Sequence, residues 1–227
     1  MLKKFLVSFI IVLAGLSITS VRAAQTPTNG VAISWSTNTY TPASFPGKKL
    51  PTSHSPITAW VTVFQNGKAV DASNYHFSWY VGSTLIQSGQ NLQKITFNAP
   101  KGTELILNLQ ARVQDENGAL SVANIQVPVI NPRVAIEANY PGKIVSGNSA
   151  TVTALPYFFN ISTPDSLTYS WQVNGVSSQS AENPTQANIN FGNNFSSGSK
   201  IGIRLNVANS SDNTAASANL SLTYQKI

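Results

Sequence analysis

The chain of 227 residues contains no cysteine, two histidines and few charged residues, which make up 10% of the total. Without cysteine the protein has no disulfide, no thiolate nucleophile and no sulfur ligand for a metal ion. His54 and His76 are the only two histidines in the sequence that could serve as metal ligands. These absences argue against thiol catalysis and against a zinc centre.

The eight acidic residues form no recognisable catalytic pair, because they are spread over predicted loops and strand ends in both halves of the chain. No strand-turn-helix elbow presents a serine to a substrate. The run Asp115-Glu116-Asn117 offers oxygen atoms to calcium, but it lacks EF-hand spacing and a hairpin turn explains it. We therefore expect no catalytic residue, no cofactor and no bound metal, with a hydrolase of unrecognised site as the weaker alternative.

The formal net charge of +6 comes partly from Lys3, Lys4 and Arg22, which lie in an N-terminal segment that we expect to be removed. The rest of the chain holds 11 basic and 8 acidic residues. Apart from Lys48-Lys49 these cations are scattered singly, so no basic stripe is available to follow a phosphate backbone. We expect no nucleic-acid partner.

Residues 1–23 have the pattern of a secretory signal peptide. Two lysines provide the positive start, Phe5 to Ile18 form an apolar stretch, and Val21-Arg22-Ala23 precedes a cleavage site before Ala24. The alternative is an uncleaved membrane anchor. A helix of 14 residues spans about 21 Å, however, against a hydrocarbon core of about 30 Å. We therefore expect export and cleavage.

Export of a chain without disulfides is typical of bacteria, so we expect the protein in the periplasm, at the cell surface or in the medium. The C-terminal residues from Leu220 to Ile227 offer no second apolar span. No cysteine is available for a lipid anchor. We expect no membrane span in the mature chain.

Three sequence features recur at offsets of about 92 to 96 residues, which indicates an internal repeat. They are Phe77-Ser78-Trp79-Tyr80-Val81 against Tyr169-Ser170-Trp171-Gln172-Val173, the alternating apolar runs that begin at Leu105 and Ile201, and Phe45-Pro46-Gly47-Lys48 against Tyr140-Pro141-Gly142-Lys143. The repeat predicts two domains, 24–130 and 134–227, with a short linker at 131–133. Because Pro132 stiffens this linker, we expect a semi-rigid rod.

Alternating apolar and polar residues predict strands in both halves. The alternation places Trp79 and Trp171 on buried faces, and polar turns at 115–118 and 211–214 join the last two strands of each half into hairpins. The predicted strands are 31–36, 57–64, 75–81, 92–97, 104–114 and 119–129, then 133–138, 149–158, 167–173, 185–191, 200–208 and 215–224. This density of short strands predicts an all-β protein of two tandem immunoglobulin-like sandwiches.

Particular residues resemble a known group of modules. Trp79-Tyr80-Val81-Gly82, the run 109–118 and a closing strand that ends Ile125-Gln126-Val127 are similar to bacterial immunoglobulin-like and polycystic-kidney-disease (PKD) repeat domains. The resemblance covers nearly all of the mature chain in two copies. It implies an extracellular module used as a spacer, an adhesin component or a binding domain, and it implies no chemistry.

Four aromatic residues are candidate contacts for a ligand or partner: Trp35, Trp60, Tyr80 and Tyr157. Trp60 aligns with Thr151 of the second half, at a position that faces outward by strand parity, and Trp35 has no aromatic counterpart there. Exposed tryptophans stack on sugars or anchor a protein partner, but they also cover seams between domains. Both interpretations stay open for the two tryptophans.

The run Tyr157-Phe158-Phe159 places aromatic rings on both faces of one strand end. At least one of these rings must therefore lie in a loop or an interface. We expect it to pack against the neighbouring domain or a sheet edge, with ligand binding as the alternative.

Two functions from different classes fit these features. We favour a non-catalytic structural, adhesion or protein-interaction module of the bacterial cell envelope or surface, because both halves place aromatic residues in cores and display Asn, Ser and Thr outside. Its expected partner is a protein of an envelope or surface assembly. The alternative is a carbohydrate-binding module that stacks a glycan on Trp60, Tyr80 and Tyr157.

Overall fold

The computed structural model describes residues 29–102, 104–178, 183–191 and 195–226. The predicted signal peptide and its cleavage site before Ala24 lie outside the described residues. Sixteen strands and two single-turn 3-10 helices, Pro141–Lys143 and Pro164–Ser166, make up the regular structure of these ranges. Within the same ranges no helix combines the length and the apolar character that crossing a membrane requires.

The strands divide into eight before residue 130 and eight after residue 132. The first eight are β1 (Gly30–Thr37), β2 (Pro56–Gln65), β3 (Lys68–Ala69), β4 (His76–Val81), β5 (Thr84–Gln90), β6 (Lys94–Asn98), β7 (Leu105–Gln114) and β8 (Leu120–Val129). The second eight are β9 (Arg133–Glu137), β10 (Ile144–Val145), β11 (Ser149–Tyr157), β12 (Thr168–Val173), β13 (Val176–Ser177), β14 (Gln186–Asn190), β15 (Lys200–Asn209) and β16 (Thr214–Tyr224).

Strands β1 to β8 form two sheets around one hydrophobic cluster. In one sheet β2 pairs antiparallel with β1, β3 and β6, and the other sheet has the order β5-β4-β7-β8. Ile57 of the first sheet and Phe77, Trp79 and Leu109 of the second are all buried in this cluster. Chain connections that cross between two packed antiparallel sheets are the hallmark of an immunoglobulin-like sandwich.

Strands β9 to β16 repeat the arrangement around a second cluster, which includes Val152, Trp171 and Leu205. One sheet has the order β14-β11-β9 and the other β10-β16-β15-β12-β13. Strand β10 pairs parallel with β16, whereas the other pairs of that sheet are antiparallel. The structure thus confirms the predicted all-β, immunoglobulin-like fold. The two clusters support the boundaries 24–130 and 134–227, which stay a prediction.

The repeated tryptophans lie at the centres of the two clusters, as the alternation predicts. Trp79 is 0% exposed and Trp171 is 1% exposed. The indole nitrogen of Trp79 donates to the carbonyl oxygen of Leu92 at 2.9 Å, and that of Trp171 donates to the carbonyl oxygen of Pro184 at 3.1 Å. Each acceptor lies 13 residues after its tryptophan. The two halves therefore share not only the buried indole but also the hydrogen bond that satisfies its N–H.

Both predicted hairpins are present, between β7 and β8 and between β15 and β16. The carboxylate of Asp115 accepts the backbone N–H groups of Asn117 at 2.9 Å and Ala119 at 2.8 Å. Asp212 accepts the N–H and the hydroxyl of Thr214 at 3.1 Å and 2.7 Å. The two aspartates therefore fix the turns by local hydrogen bonds.

The two halves meet where the connection between β1 and β2, residues 38–55, reaches the end of β11. The backbone N–H of Phe158 donates to the carbonyl oxygen of Tyr40 at 2.6 Å. The N–H of Tyr40 donates to the carbonyl oxygen of Phe159 at 2.8 Å. Tyr40 is thus held by the second half through both of its backbone polar groups.

Aromatic rings reinforce this contact. The ring of Phe45 meets Tyr157 and Phe158 edge-on, with centroid distances of 5.8 Å and 5.4 Å. Phe158 has a φ of 63°, a left-handed conformation that bulky residues adopt only where the surroundings impose it. We call Tyr40, Phe45 and residues 157–159 the joint clamp. It confirms that the Tyr157-Phe158-Phe159 run packs against another part of the chain.

Candidate interaction surfaces

The structure does not bring the four candidate residues into one site. Trp35 is 5% exposed and Trp60 is 37% exposed. Tyr80 and Tyr157 are half-buried. Trp60 lies on the sheet that contains β2, Tyr80 lies on the opposite sheet, and Tyr157 belongs to the joint clamp. Each residue therefore has its own surroundings.

Trp35 is a core residue rather than an accessible contact, which corrects its place among the candidates. Strand β1 alternates so that Ile33, Trp35 and Thr37 face inward. The Nζ atom of Lys48 lies 3.4 Å from the centroid of the Trp35 ring, a cation–π contact. Burial lowers the pKa of Lys48. The ring is covered on one side by the cluster and on another by this ammonium group.

Trp60 faces outward at the centre of its sheet, as its alignment with Thr151 predicts. Its direct neighbours in register are Ser34 on β1 and Lys94 on β6. One row away on the same face, the hydroxyls of Thr58 and Thr96 are hydrogen-bonded at 3.0 Å. An exposed indole with hydroxyl groups and one lysine beside it offers a stacking surface with polar atoms at its rim.

Tyr80 lies on the outward face of the β5-β4-β7-β8 sheet within a chain of polar contacts. The guanidinium carbon of Arg112 lies 4.5 Å from the centroid of the Tyr80 ring. The Nε of Arg112 donates to Gln110 at 2.8 Å, and the amide of Gln110 donates to Asn124 at 2.9 Å. Tyr80, Gln110 and Asn124 are direct cross-strand neighbours. These contacts fix the side chains of Tyr80, Gln110 and Asn124 in one row and that of Arg112 in the next row.

A second group of polar contacts on this sheet joins His76 to Ser78 and Ser88, which form the neighbouring row. The Nε2 of His76 lies 2.9 Å from the hydroxyl of Ser88, and the hydroxyl of Ser78 lies 2.7 Å from it. The Ser88 hydroxyl donates to the carbonyl oxygen of Phe77 at 3.1 Å. The Ser88 hydroxyl thus has three polar neighbours within hydrogen-bond distance. This geometry holds Ser88 as part of a hydrogen-bonded ladder.

Exposed apolar side chains are frequent on the β5-β4-β7-β8 sheet. Among the described residues, six of the nine large hydrophobic side chains that are exposed lie on strands of this sheet: Leu85, Ile86, Leu105, Ile106, Leu120 and Val122. Val122 and Leu120 are 46% and 62% exposed and lie next to Arg112 and Gln114 in the strand register. We call the outward face of β4, β7 and β8 the Tyr80 face.

The corresponding surface of the second half lacks the aromatic ring. The row Tyr80, Gln110, Asn124 is replaced there by Gln172, Arg204 and Asn219, which are direct neighbours on β12, β15 and β16. These three residues line a shallow depression with a volume of about 610 Å³. No side-chain hydrogen bond joins Arg204 to another residue of the described ranges. This surface is therefore less ordered by internal contacts than the Tyr80 face.

Sequence reasoning found Trp60 and Tyr80 but missed Arg112, Gln110 and Asn124. The signal was available, because the alternation of β7 that buries Leu109 and Ala111 turns Gln110 and Arg112 to the opposite face. The register between strands, which places Asn124 beside Gln110, could not be obtained from spacing alone.

Comparisons with known proteins find similar folds among solved structures only. No family model and no curated protein matches it. The fibronectin(III)-like modules of Clostridium thermocellum CbhA are similar in structure, at 17% identity over 86% of this chain and 94% of that chain, with a TM-score of 0.33. Three N-terminal domains of the highly immunogenic outer capsid protein of bacteriophage RB49 give 12% identity over 87% and 70%, with a TM-score of 0.33.

A third solved structure is SGBP-B of the Bacteroides ovatus mixed-linkage glucan utilization locus, in complex with a mixed-linkage heptasaccharide. It is 16% identical over 84% of this chain and 47% of that chain, with a TM-score of 0.23. TM-scores of this size do not establish a fold. The fold is therefore assigned from the sheet topology of this chain. That topology defines a protein built from immunoglobulin-like β-sandwiches.

Proposed function

We propose that the protein is a non-catalytic, exported interaction module of the bacterial cell envelope or surface, and that it binds a protein partner through the Tyr80 face. The observation that carries this proposal is that the exposed side chains of Val122 and Leu120 share one face with the ordered pair of Tyr80 and Arg112, with Val122 directly beside Arg112. Tyrosine and arginine are enriched among the residues that dominate binding energy at protein interfaces. The apolar side chains beside them supply area for a partner to bury.

The internal order of the Tyr80 face supports the proposal. Arg112 is held by Tyr80 and Gln110, and Gln110 is held by Asn124. Side chains that are already fixed lose little conformational entropy when a partner binds. The side chains of the Tyr80 face are therefore preorganised for binding a partner.

The charge of the face indicates the chemistry of the partner. Arg112 is the single charged residue among the outward positions of β4, β7 and β8. A guanidinium beside apolar side chains is best matched by an apolar surface that carries a carboxylate or carbonyl oxygen. We expect a protein partner with such a surface.

A photo-crosslinking amino acid at Asn124 tests this proposal in cells. The matched control places the same group at Asn219, which occupies the corresponding row of the second half. We expect the Asn124 probe to capture one defined envelope protein and the Asn219 probe not to capture it. Equal capture by both probes contradicts the proposal.

Binding of the captured protein to the purified chain then gives the affinity. Val122→Asp replaces an exposed apolar side chain with a carboxylate beside Arg112, where it competes with the partner for the guanidinium, so the dissociation constant is expected to rise on the order of tenfold or more. Arg204→Ala, on the second half, is expected to leave it unchanged. An unchanged affinity of the Val122→Asp chain excludes the Tyr80 face as the binding surface.

The proposal includes export and a division into two domains. The signal-peptide pattern of residues 1–23 supports export, and the two hydrophobic clusters support domains at 24–130 and 134–227. Mass spectrometry of the exported protein is expected to find Ala24 as the first residue. A mass that retains residues 1–23 contradicts cleavage.

The surroundings of Trp60 favour carbohydrate binding as a second candidate function. Its exposed indole lies among the hydroxyl groups of Ser34, Thr58 and Thr96, an arrangement suited to stacking on a sugar ring. A glycan array probed with the wild-type chain and with Trp60→Ala tests it. Glycan binding that is lost in Trp60→Ala and kept in Tyr80→Ala supports this candidate, and no binding to any glycan argues against it.

A further inference from the structure

Strand β5 is an edge strand that the rest of the molecule leaves uncovered. Its only neighbour in the described part of the sheet is β4. Six of its seven residues are exposed, and Gly89 is half-buried. Leu85 is 52% exposed and Ile86 is 37% exposed. A strand with one neighbour and two open faces buries little surface within a single copy.

The backbone of β5 offers free hydrogen-bonding groups along its outer side. The N–H of Asn91 donates to the carbonyl oxygen of Tyr75 at 3.0 Å, so these two residues form a hydrogen-bonded pair. Because such pairs alternate in an antiparallel ladder, Gly89 bonds to β4, whereas the N–H and carbonyl groups of Ser88 and Gln90 point away from it. These groups can pair with a further strand.

The devices that normally protect an edge strand are largely missing. No Asp, Glu, Lys or Arg lies between Asp71 and Lys94, and β5 contains no proline. A bulge opposite Trp79 and Tyr80 interrupts the ladder near Leu85, but the register from residue 87 to residue 90 is regular.

Other strands at sheet edges differ from β5. Strand β13, which follows the tryptophan strand of the second half as β5 follows that of the first, has two residues. Strand β9 carries Arg133 and Glu137, and β6 begins with Lys94. Strands β1 and β8 lie against each other. Strand β5 therefore combines length, neutrality and exposure in a way that these edges do not.

We propose that β5 pairs antiparallel with β5 of a second copy of this chain, across a two-fold axis. Two-fold symmetry brings identical strands together in the antiparallel sense that an edge of this sheet accepts. Gln87, Ser88 and Gln90 carry both donors and acceptors, so the strand is complementary to itself. Since the whole chain is positively charged, the neutral strip from residue 72 to residue 93 is where two copies approach with least repulsion.

Such pairing joins the two β5-β4-β7-β8 sheets into one continuous sheet of eight strands. A two-fold axis perpendicular to that sheet turns both Tyr80 faces to the same side. The dimer would therefore present two copies of the proposed partner surface in parallel, which raises avidity for a partner that is itself clustered. The self-pairing uses the strand edge and does not depend on the proposed function of the face.

Sedimentation equilibrium of the chain from Ala24 tests the proposal. The wild-type chain is expected to show a concentration-dependent dimer. Gln87→Lys and Gln87→Glu each place like charges near the axis, so each is expected to raise the dimer dissociation constant on the order of tenfold. The side chain of Gln87 is exposed and is hydrogen-bonded to none of the other described residues, so both variants should keep the wild-type melting temperature.

A mixture of the two variants makes the test specific for β5. Equal amounts of Gln87→Lys and Gln87→Glu are expected to restore association, because the mixed pair places opposite charges together. Val176→Lys on β13, where the side chain is 70% exposed, is the matched control and should associate as the wild type does. A wild-type chain that stays monomeric, or Gln87 variants that associate as tightly as the wild type, overturns the proposal. Loss of partner binding through the Tyr80 face leaves these outcomes unaffected.

Discussion

The backbone N–H of Phe158 donates to the carbonyl oxygen of Tyr40 at 2.6 Å, across a contact between the two halves of the chain. The backbone N–H of Tyr40 donates in turn to the carbonyl oxygen of Phe159 at 2.8 Å. The halves are therefore joined by two backbone hydrogen bonds at Tyr40 as well as by the linker that contains Pro132.

Phe45→Ala should weaken the joint clamp. The ring of Phe45 meets Tyr157 and Phe158 edge-on, and each such aromatic contact contributes about 0.5 to 1.5 kcal/mol beyond the burial of area. We expect a loss of about 1 to 3 kcal/mol from the coupling between the halves. Differential scanning calorimetry should show the unfolding transitions of the two halves moving apart.

Pro46→Ala is the matched control for this change, because Pro46 is an exposed neighbour of Phe45 with no ring contact in the clamp. Its calorimetric profile should match that of the wild type. If Phe45→Ala also leaves the profile unchanged, the ring contacts do not couple the halves.

Trp79→Ala should destabilise the first cluster by about 3 to 5 kcal/mol, because it removes a large side chain that is 0% exposed. Trp79→Phe keeps much of the apolar volume but leaves the carbonyl oxygen of Leu92 without its donor, and should cost about 1 to 3 kcal/mol. Urea denaturation gives both values. Equal stability of the wild-type and Trp79→Ala chains would contradict the core position of the indole.

Tyr169 should make the fold sensitive to alkaline pH. Burial, with smaller contributions from Tyr40 and Asp165, raises the pKa of Tyr169 from 10.0 to about 12. Because the folded state holds the phenolic proton more tightly than the unfolded state, this stabilisation is present below pH 10 and is lost as the pH rises towards about 12. Denaturation at a series of pH values should show the free energy of unfolding falling across this window.

Tyr169→Phe provides the control for this pH dependence. The variant loses the hydrogen bond from the hydroxyl to the carbonyl oxygen of Pro164, which is 3.0 Å long, so it should be less stable at neutral pH by about 1 kcal/mol. Its stability should nevertheless fall less steeply between pH 10 and 12. The same slope in both proteins would show that the alkaline transition has another origin.

Trp60→Thr should leave stability almost unchanged, although it removes an indole. Trp60 is 37% exposed, and the second half has Thr151 at the aligned position. We expect a change within about 1 kcal/mol, whereas Trp35→Thr should cost about 3 to 5 kcal/mol because Trp35 is 5% exposed. Thermal melts of the two variants compare an exposed and a buried tryptophan of the same sheet.

The sequence predicted the parts of the fold that depend on local alternation. Trp79 and Trp171 face inward because residues two apart on a strand share a face, and the hairpins after β7 and β15 follow from the turn chemistry of Asp115 and Asp212. Strand β5 was not predicted, since an uncovered strand has no need to alternate apolar and polar residues.

Contacts between segments that are distant in the sequence could not be predicted from the sequence. Nothing in the connection at 38–55 indicates that Tyr40 would pair with Phe158, because irregular backbone has no period from which a partner could be inferred. Trp35 was left open between packing and binding for a related reason. Its inward parity could be read from β1, but the covering ammonium of Lys48 belongs to that same irregular connection.

The parallel pairing of β10 with β16 has a mechanical consequence. Ile144 and Val145 lie beside Thr223 and Tyr224, so the edge strand β10 runs in the same direction as β16, the last strand of the sandwich. Tension that enters through β9 and leaves through the end of β16 would pull these two strands in opposite directions along their axes. Their hydrogen bonds would share the load in shear instead of opening one after another.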